Sequence, residues 1–364
     1  MITSIFILIS IPAAVWGKLT EEADAGLLHI SSEQVCFFGL GCFNGPSNIL
    51  TKFGSILIPA PESPEKINTR FFLQTQTDRQ PFEVRAADHS MVLNSSFNPS
   101  KPVKFLIHGY RPGAVHTWPF EMSQDILDVD DVNCFSVNWE DGAGIRYEQA
   151  VSNARVVGVQ IAQFKASLEE MYQTSQLDVH FIGHSLGAHV AAFAGQTEGC
   201  DVQRISGLDT AGPLFQGATN DKRLDSSDAE LVDALYTDAP TILPIISGLG
   251  TNDVSGDLNF YANGGSNQPG CERTVLLKIL NPTEIHELSC SHSRAVDLYR
   301  ESIRNPTAFL GHRADSYEDY RNGDRSSCDG GCAYMGYHLD VPTPTPGNFY
   351  FTTGEEPPYS DDGQ

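Results

Sequence analysis

One short segment constrains the fold of this chain more than any other. An apolar run, residues 179–182, leads directly into Gly-His-Ser-Leu-Gly at 183–187, and a run of small residues follows. A strand that turns sharply into a helix needs residues with almost no side chain where the two elements approach, and Gly183 and Gly187 supply them. The pattern predicts a strand-turn-helix unit with Ser185 at the turn and its hydroxyl facing outward.

Further apolar runs, bounded by Gly, Asn or Asp, predict buried strands around this unit. They lie at residues 103–107, 134–139, 205–208 and 231–236, after an extended run at 68–77. Residues 149–172 place apolar side chains at a helical period. A strand, a helix and a strand in succession indicate a parallel sheet. Because no linker divides residues 68–305, we expect a single α/β domain there.

The charge balance limits the partners of the chain. Its 23 Lys and Arg residues face 46 Asp and Glu residues, which gives a net charge of −23. Such a charge repels phosphate backbones, heparin and anionic membrane surfaces. Nucleic acid is therefore excluded as a partner, and the excess of acid is interpreted as a contribution to solubility.

Residues 1–17 predict a signal peptide. They contain no charged side chain, and the apolar stretch at 2–12 is too short to span a bilayer. No later segment reaches about 18 uninterrupted apolar residues, so we expect a soluble, secreted protein without a transmembrane segment. Asn94 begins the only acceptable N-glycosylation sequon, Asn-Ser-Ser.

Eight cysteines in an exported chain predict disulfides, whereas the same number in a cytosolic enzyme would suggest a metal site. Local spacing suggests the pairs Cys36–Cys42, Cys271–Cys290 and Cys328–Cys332. Cys134 and Cys200 remain, and the sequence leaves open whether they pair with each other or stay free.

Two later residues stand where partners of Ser185 are needed. In folds with this turn, the acid and the base follow the serine in the order Ser, acid, His, each beyond a strand end. Asp209 ends the apolar run 205–208, and His292 precedes a helical stretch at 293–303. This order predicts Ser185 as nucleophile, Asp209 as orienting acid and His292 as general base.

An oxyanion that develops on the substrate needs backbone N–H donors. The predicted turn gives one at Leu186, where an unpaired N–H and the helix dipole both favour negative charge. The run 103–107 ends in a turn as well, so we nominate the Tyr110 amide as the second donor. Three other histidines, His108, His184 and His189, are interpreted as structural.

Several short stretches of the sequence together resemble those of a known protein family. It is carried by the stretches VCFFGLGCF, INTRFFL, FLIHGY, VNW, GHSLGAH, ISGLD, RLDSSDAELVDALYTDA, NGGSNQPGC, CSHSRA and CDGGCAYMG. With them the chain resembles the pancreatic lipase family of animal extracellular lipases from about residue 33 to residue 353. The resemblance implies an α/β-hydrolase fold, a central mostly parallel sheet flanked by helices, and the predicted triad falls on the family's catalytic positions.

The chain is accordingly divided into a signal peptide (1–17), a lipase catalytic domain (18–353) and an acidic C-terminal tail (354–364). Residues 18–58 are expected to be an irregular segment clipped by cysteines. The stretch from residue 341, rich in Pro and acid, is expected to form an extended edge and then a loose tail.

The resemblance also implies one structural Ca²⁺. In the family, a loop before a strand binds it through two aspartates and two backbone carbonyls. Asp225 and Asp228 match the aspartates, and Arg223 and Asn220 stand at the carbonyl positions. Hard oxygen donors of this kind suit calcium. The competing interpretation is a solvated acidic loop, and no organic cofactor is implied.

The resemblance further implies a lid closed by the Cys271–Cys290 disulfide. Within it, apolar residues recur at helical spacing, namely Val275, Leu276, Ile279 and Leu280. Such an amphipathic cover would shield the acyl groove when closed, and when open would contact a lipid droplet, micelle or lipoprotein surface. The competing interpretation is an ordinary surface helix.

Departures from the family's pattern bear on the substrate. Thr210 and Ser226 stand where the family commonly has Pro, and neither change removes a functional group. The lid looks shorter than in typical triacylglycerol lipases, and short lids in this family accompany phospholipase activity. The family's C-terminal β-sandwich has no counterpart in the sequence, so colipase docking is not expected.

The expected function is hydrolysis of carboxylic esters of glycerolipids, with triacylglycerol as the first choice of substrate. A phospholipase A1 or galactolipase with the same triad is the runner-up. The residues favour two further functions less, namely that of a non-catalytic lipid carrier and that of an ordinary esterase for soluble esters.

Overall fold

The structure, a computed structural model, describes residues 28–31, 34–51, 54–110, 117–240, 248–271, 290–329, 331–339 and 345–360. The predicted signal peptide and the predicted lid helix between Cys271 and Cys290 lie outside these residues. No helix in the described ranges is long and apolar enough to cross a membrane.

The N-terminal part is more regular than expected. It contains β1 (Leu28–Ser31), β2 (Gln34–Phe37), β3 (Gly41–Asn44), β4 (Ser47–Thr51) and β5 (Gly54–Ile58). β2 and β3 form a hairpin closed by the Cys36–Cys42 disulfide, and β1, β4 and β5 form a small antiparallel sheet. The prediction of an irregular segment was wrong for these residues. Short hairpin strands that alternate with glycine turns give too little periodicity to recognise in sequence.

An eleven-stranded sheet forms the centre of the described part of the chain. Along the chain its strands are β6 (Arg70–Thr75), β7 (Phe82–Arg85), β8 (Val103–Ile107), β9 (Asn133–Asn138), β10 (Val179–His184), β11 (Arg204–Leu208), β12 (Leu231–Tyr236), β13 (Leu258–Ala262), β14 (Leu310–Arg313), β15 (Cys332–Tyr334) and β16 (Gly347–Phe351). In space the order is β15-β14-β16-β13-β12-β11-β10-β8-β9-β6-β7. Every neighbouring pair from β9 to β16 is parallel, and the strands at both ends are antiparallel.

Helices cover both faces of this sheet. They are α1 (Pro64–Ile67), α2 (Trp118–Val129), α3 (Glu140–Ala143), α4 (Tyr147–Tyr172), α5 (Leu186–Gly195), α6 (Cys290–Arg304) and α7 (Tyr317–Asn322). Short 3₁₀ turns lie at His89–Asn94, Asn220–Lys222 and Ser226–Asp228. Asn94 is exposed at the end of the first turn, so the sequon is accessible.

The core divides between the two faces because neighbouring side chains on a strand point to opposite sides. On β10, Phe181 belongs to the cluster shared with α4 and α5, whereas Ile182 belongs to the cluster shared with α2 and α6. The helices α4 and α5 pack closely, since a Cβ at Gly158 would lie 2.6 Å from the Phe193 Cβ. This architecture is the predicted α/β-hydrolase arrangement.

The C-terminal stretch is neither an edge nor loose where it is described. β16 lies between β13 and β14, inside the sheet. Beyond it, the ring of Tyr359 is buried against the guanidinium of Arg294, 4.3 Å away, and the amides of Tyr359 and Ser360 donate to the Glu301 carboxylate. The prediction of an extended edge and a loose tail was wrong for residues 347–360, because composition does not register such specific contacts.

The cysteines form the disulfides Cys36–Cys42, Cys271–Cys290 and Cys328–Cys332. Cys134 and Cys200 are free and buried, which answers the question that the sequence left open. Cys134 lies in the cluster on the α2 and α6 face, and Cys200 in the cluster on the α4 and α5 face.

Candidate active site

Ser185 lies between the end of β10 and the start of α5, in a sharply turned backbone with φ 57° and ψ −124°. Its amide donates to the Leu208 carbonyl at 3.0 Å. The turn requires glycine on both sides: a Cβ at Gly183 would lie 2.5 Å from the Gly187 carbonyl oxygen, and one at Gly187 would lie 2.1 Å from the Ile107 carbonyl oxygen. The predicted strand-turn-helix unit therefore forms, and Ser185 stands at its apex.

Asp209 follows directly after β11 and is fully buried. Its Oδ1 accepts hydrogen bonds from the amides of Thr237 at 2.8 Å and Asp238 at 3.0 Å. Its Oδ2 lies 2.5 Å from His292 Nδ1. Two backbone donors and an imidazole thus satisfy this carboxylate where solvent does not reach it.

His292 is the third residue of α6 and is buried. Burial alone would lower its pKa, but the hydrogen bond to Asp209 and the negative charges of Asp209 and Asp238 outweigh burial, so the pKa of His292 lies above its ordinary value. Its ring centroid is 4.6 Å from that of His184, the residue before the serine. The Asp209 carboxylate and the His292 imidazole are thus hydrogen-bonded to each other beside the Ser185 turn.

The described contacts do not include a hydrogen bond between Ser185 Oγ and His292. Catalytic hydrogen bonds in ligand-free sites are often long and tighten only with substrate. The Nδ1 of His292 is committed to Asp209, so Nε2 is the ring nitrogen left to exchange a proton with a substrate or a hydroxyl.

The two nominated oxyanion donors belong to neighbouring chain segments. α5 begins at Leu186, whose amide is in the first turn and has no acceptor within the helix. The turn after β8 lies against this helix end, since a Cβ at Gly109 would be 3.1 Å from the Leu186 nitrogen. Tyr110 follows Gly109, and its ring packs edge-on against Tyr147 at 5.1 Å. Residues 111–116 lie outside the described ranges.

Three histidines surround the turn, of which His108 and His189 are buried and His184 is half-buried. His108 Nε2 accepts from the Trp139 amide, and His189 Nδ1 accepts from the Leu224 amide. His184 Nε2 bonds the His292 carbonyl oxygen. Burial lowers the pKa of His108 to about 4 and those of His184 and His189 to about 3. These neutral rings link chain segments, which fits the structural role predicted for them.

The loop predicted to bind calcium brings oxygen atoms together. The Gln196 side-chain amide lies 3.2 Å from the Asn220 carbonyl oxygen, 3.4 Å from the Arg223 carbonyl oxygen and 3.0 Å from Asp228 Oδ1. Three of the predicted ligand atoms therefore surround one point. Burial raises the pKa of Asp228 to about 7, although the Gln196 side chain and the Asp225 amide both donate to its carboxylate. This donor set fits a hard divalent cation.

The fourth predicted ligand residue, Asp225, caps the turn that carries Asp228. Asp225 Oδ1 accepts from the amide and hydroxyl of Ser227, and Asp228 Oδ2 accepts from the Asp225 amide. The spacing of the two aspartates is therefore also that of a reciprocal capping box. The capping box accounts for the contacts of Asp225, and the Gln196 side-chain amide lies at the point where the other three oxygens converge and donates to them.

Sequence reasoning missed Asp238 and Gly250. A carboxylate oxygen of Asp238 lies within 4.8 Å of a carboxylate oxygen of Asp209 and of a ring nitrogen of His292. A Cβ at Gly250 would lie 2.7 Å from Asp209 Oδ1, so only glycine fits there. The position of Asp238 just after the β12 run was a usable signal, because parallel strands end at the same sheet edge.

A model of the family described as Lipase matches residues 33–359. The chain belongs to the lipase family. Its class of reaction is therefore carboxylic ester hydrolysis, and the resemblance expected from the sequence is confirmed, together with the fold.

Individual relatives of this lipase are similar over most of its length. The pancreatic triacylglycerol lipase of Myocastor coypus is 38% identical over 317 residues, which cover 85% of this chain and 69% of the relative. The human pancreatic lipase-related protein 2 is 37% identical over 90% of this chain and 72% of its own length. The mouse inactive pancreatic lipase-related protein 1 is 38% identical over 89% of this chain and 70% of its own length. Identity alone therefore does not decide whether a member is active.

Proposed function

We propose that this lipase is secreted and hydrolyses carboxylic esters of glycerolipids at a lipid surface, with triacylglycerol as its main substrate. The observation that carries the proposal is the buried contact between Asp209 and His292 beside the strained Ser185 turn. A relative with 38% identity is named a triacylglycerol lipase, which supports the choice of substrate.

In the proposed reaction, neutral His292 takes the Ser185 proton on Nε2 while Oγ attacks the ester carbonyl. Asp209 keeps the Nδ1–H tautomer in place and stabilises the imidazolium that forms. The amides of Leu186 and Tyr110 would stabilise the tetrahedral oxyanion. His292 then donates its proton to the leaving alcohol. In the second half of the reaction, His292 takes a proton from water as the water attacks the acyl-Ser185 ester, and then returns that proton to Ser185 Oγ as the carboxylic acid leaves.

The backbone strain at Ser185 argues against the alternative of a lipid carrier without catalytic activity. A left-handed Ser185 costs of order 1–3 kcal/mol, and a protein that only binds lipid has no use for that strain. The name of the inactive relative indicates that members of this family can lose activity. In this chain, nucleophile, acid and base are all present. Their joint retention favours an active enzyme.

The proposed calcium ion would be held by the carbonyls of Asn220 and Arg223 and the carboxylates of Asp225 and Asp228. When bound, it would neutralise the buried Asp228 carboxylate and hold the loop before β12. The same loop is tied to the C-terminal end of α5 through Gln196. The ion is therefore proposed as a structural support for the helix that begins next to Ser185.

Phospholipid is the second candidate substrate, because only 18 residues separate Cys271 from Cys290 in the sequence, a short cover for this family. The chemistry at Ser185 would be unchanged. Only the shape of the acyl groove and the cover would distinguish phospholipase A1 from triacylglycerol lipase activity.

The deciding experiment measures fatty-acid release from emulsified triacylglycerol and from phosphatidylcholine side by side. Ser185→Ala serves as the blank, and Ser326→Ala, at an exposed serine, serves as the matched control. We expect release by the native protein and Ser326→Ala, faster from triacylglycerol, and none by Ser185→Ala. Faster release from phosphatidylcholine would change the assignment to phospholipase A1, and no release from either by folded protein would support the lipid carrier.

A further inference from the structure

A pocket of about 340 Å³ lies at the end of α5 opposite the Ser185 turn, between the N-terminal hairpin and the helices α4 and α5. Its walls include Phe43 from β3, Arg155 and Val159 from α4, and Phe193 and Gln196 from the end of α5. Its volume is at the lower end of the range of small-ligand sites. Nothing in the proposed mechanism uses it.

Arg155 is the charged group of this pocket. Its guanidinium lies 4.3 Å over the Phe193 ring and donates one hydrogen bond, at 3.3 Å, to the Asp221 carbonyl oxygen. Within the described residues it forms no ion pair. Because a guanidinium carries five N–H donors in a rigid fork, most of them remain for a ligand in the pocket.

The rest of the lining restricts the ligand. Phe43, Val159 and Phe193 contribute apolar surface beside the cation, and polar side chains contribute the rest of the lining, namely Asn44, Gln196 and Thr197. A single guanidinium matches a singly charged, planar carboxylate, which it binds with two parallel hydrogen bonds. A chain with a net charge of −23 disfavours anions of higher charge. The pocket therefore suits a molecule with one carboxylate and a hydrocarbon body.

We propose that this pocket binds an amphiphilic carboxylate, with its head group on Arg155 and its hydrocarbon against Phe43 and Val159. The inference rests on the proposed function for the source of its ligand, because ester hydrolysis releases fatty carboxylates. A steroid carboxylate shares the same chemistry and is separated from a straight-chain acid by the test.

Binding at this pocket would stabilise the loop proposed to hold calcium. Arg155 donates to the Asp221 carbonyl, and Gln196 donates to three oxygens of the same loop. A ligand that fixes these two side chains would restrain the loop and the end of α5. The thermal midpoint should then rise with ligand concentration, as expected for any ligand that binds only the folded state.

The test is calorimetric titration of the full chain with decanoate after Ser185 has been blocked by an alkyl phosphonate that fills the acyl groove. One site per chain is expected. Arg155→Gln should weaken binding about 10- to 100-fold, the usual effect of losing a charge-assisted hydrogen-bond pair. Arg85→Gln, which removes an exposed arginine on β7, should leave affinity unchanged.

A second pair of variants keeps the test decisive if Arg155→Gln does not fold. Val159→Phe fills the pocket and should abolish binding with Arg155 intact, whereas Val129→Phe at an exposed position on α2 should not. Decanol and acetate, which each carry half of the required chemistry, should not bind. Cholate in place of decanoate would show whether the pocket accepts a steroid carboxylate.

The proposal is overturned if the blocked protein does not bind decanoate, if Arg155→Gln binds it as tightly as the native sequence, or if inorganic phosphate binds equally well. These outcomes are independent of turnover, because Ser185 is blocked throughout. Failure of fatty-acid release with retained decanoate binding would reject the proposed function and leave the pocket assignment standing.

Discussion

Ser185 and Asp209 both have positive φ angles, 57° and 42°, which residues other than glycine seldom adopt. Each such residue costs of order 1–3 kcal/mol unless its surroundings hold it. Here the Ser185 amide donates to Leu208 and the Asp209 amide donates to Leu235, so neighbouring strands fix both turns. Chemical roles are thus proposed for two of the six non-glycine residues with positive φ in the described part of the chain.

Asp209→Asn should lower kcat on the order of 10⁴-fold, because the amide would favour the wrong imidazole tautomer and remove the charge that stabilises imidazolium. The measurement is ester hydrolysis by protein whose melting curve matches that of the native sequence. Asp233→Asn, at another buried carboxylate on β12, is a control for general loss of stability. A loss below about tenfold would assign the acid to another residue.

The charge of Asp238 should be visible in the pH profile. Because the pKa of His292 is raised and the ring must be neutral to accept a proton, kcat/KM should fall as pH drops through a value above 6.5. Asp238→Asn removes one of the charges that raise this pKa, so the acid limb should move to lower pH. A soluble ester substrate keeps interfacial effects out of the measurement, and an unmoved limb would show that Asp238 does not act on the base.

The places of Ser185 and Asp209 in the fold could be predicted from sequence, because each residue directly follows its own strand. Asp238 was missed because its effect depends on strand register. Leu208 pairs with Leu235, and this pairing brings the residues after β12 beside the residues after β11. A pattern within one segment does not reveal such pairing.

Among the elements, strand and helix positions were predicted best where apolar patterning is strong. The runs 103–107 and 231–236 form strands with those bounds, and the helix predicted from residue 149 begins two residues earlier, at Tyr147. β16 was predicted as an extended edge and not as an interior strand, because the prolines before it dominated the composition of the segment. Its aromatic run, Phe349 to Phe351, was the signal of a buried strand.

The segment after β16 should stabilise α6, the helix that carries His292. Tyr359→Ala removes a buried ring and its contact with Arg294, and should lower the free energy of unfolding by about 2 kcal/mol. Urea unfolding measures this change. Tyr359→Phe keeps the ring on the guanidinium and should cost much less. Equal losses for the two variants would indicate that the ring contact contributes little.

Calcium removal should affect stability more than chemistry, because the proposed ligands lie in the loop before β12 and not at Ser185. Chelation should lower Tm while the initial rate on a soluble ester changes little. Asp228→Asn should abolish the dependence of Tm on calcium, and Asp253→Asn, an acid nearby, should preserve it. A Tm that is the same with and without chelator would mean that calcium does not support the fold.

At the scale of the whole molecule, each face of the sheet has its own core, and each core contains one unpaired thiol. Burial raises the pKa of Cys134 to about 12 and that of Cys200 to about 11. Thiols with such values are almost entirely protonated at neutral pH, and only the thiolate attacks a disulfide or an alkylating reagent. The three disulfides are thus protected from attack by the chain's own free thiols while the chain is folded.

These two thiols are natural probes of unfolding, because each becomes reactive only when the core around it opens. Mass spectrometry after pulses of a thiol-specific dye would record when each half of the molecule opens, with no engineered probe. Labels that arrive on Cys134 and Cys200 together would mean one cooperative event, and a label on Cys200 alone would mean that the α4 and α5 layer detaches first. Storage in oxidising buffer should, for the same reason, leave the disulfide pattern unchanged until the protein denatures.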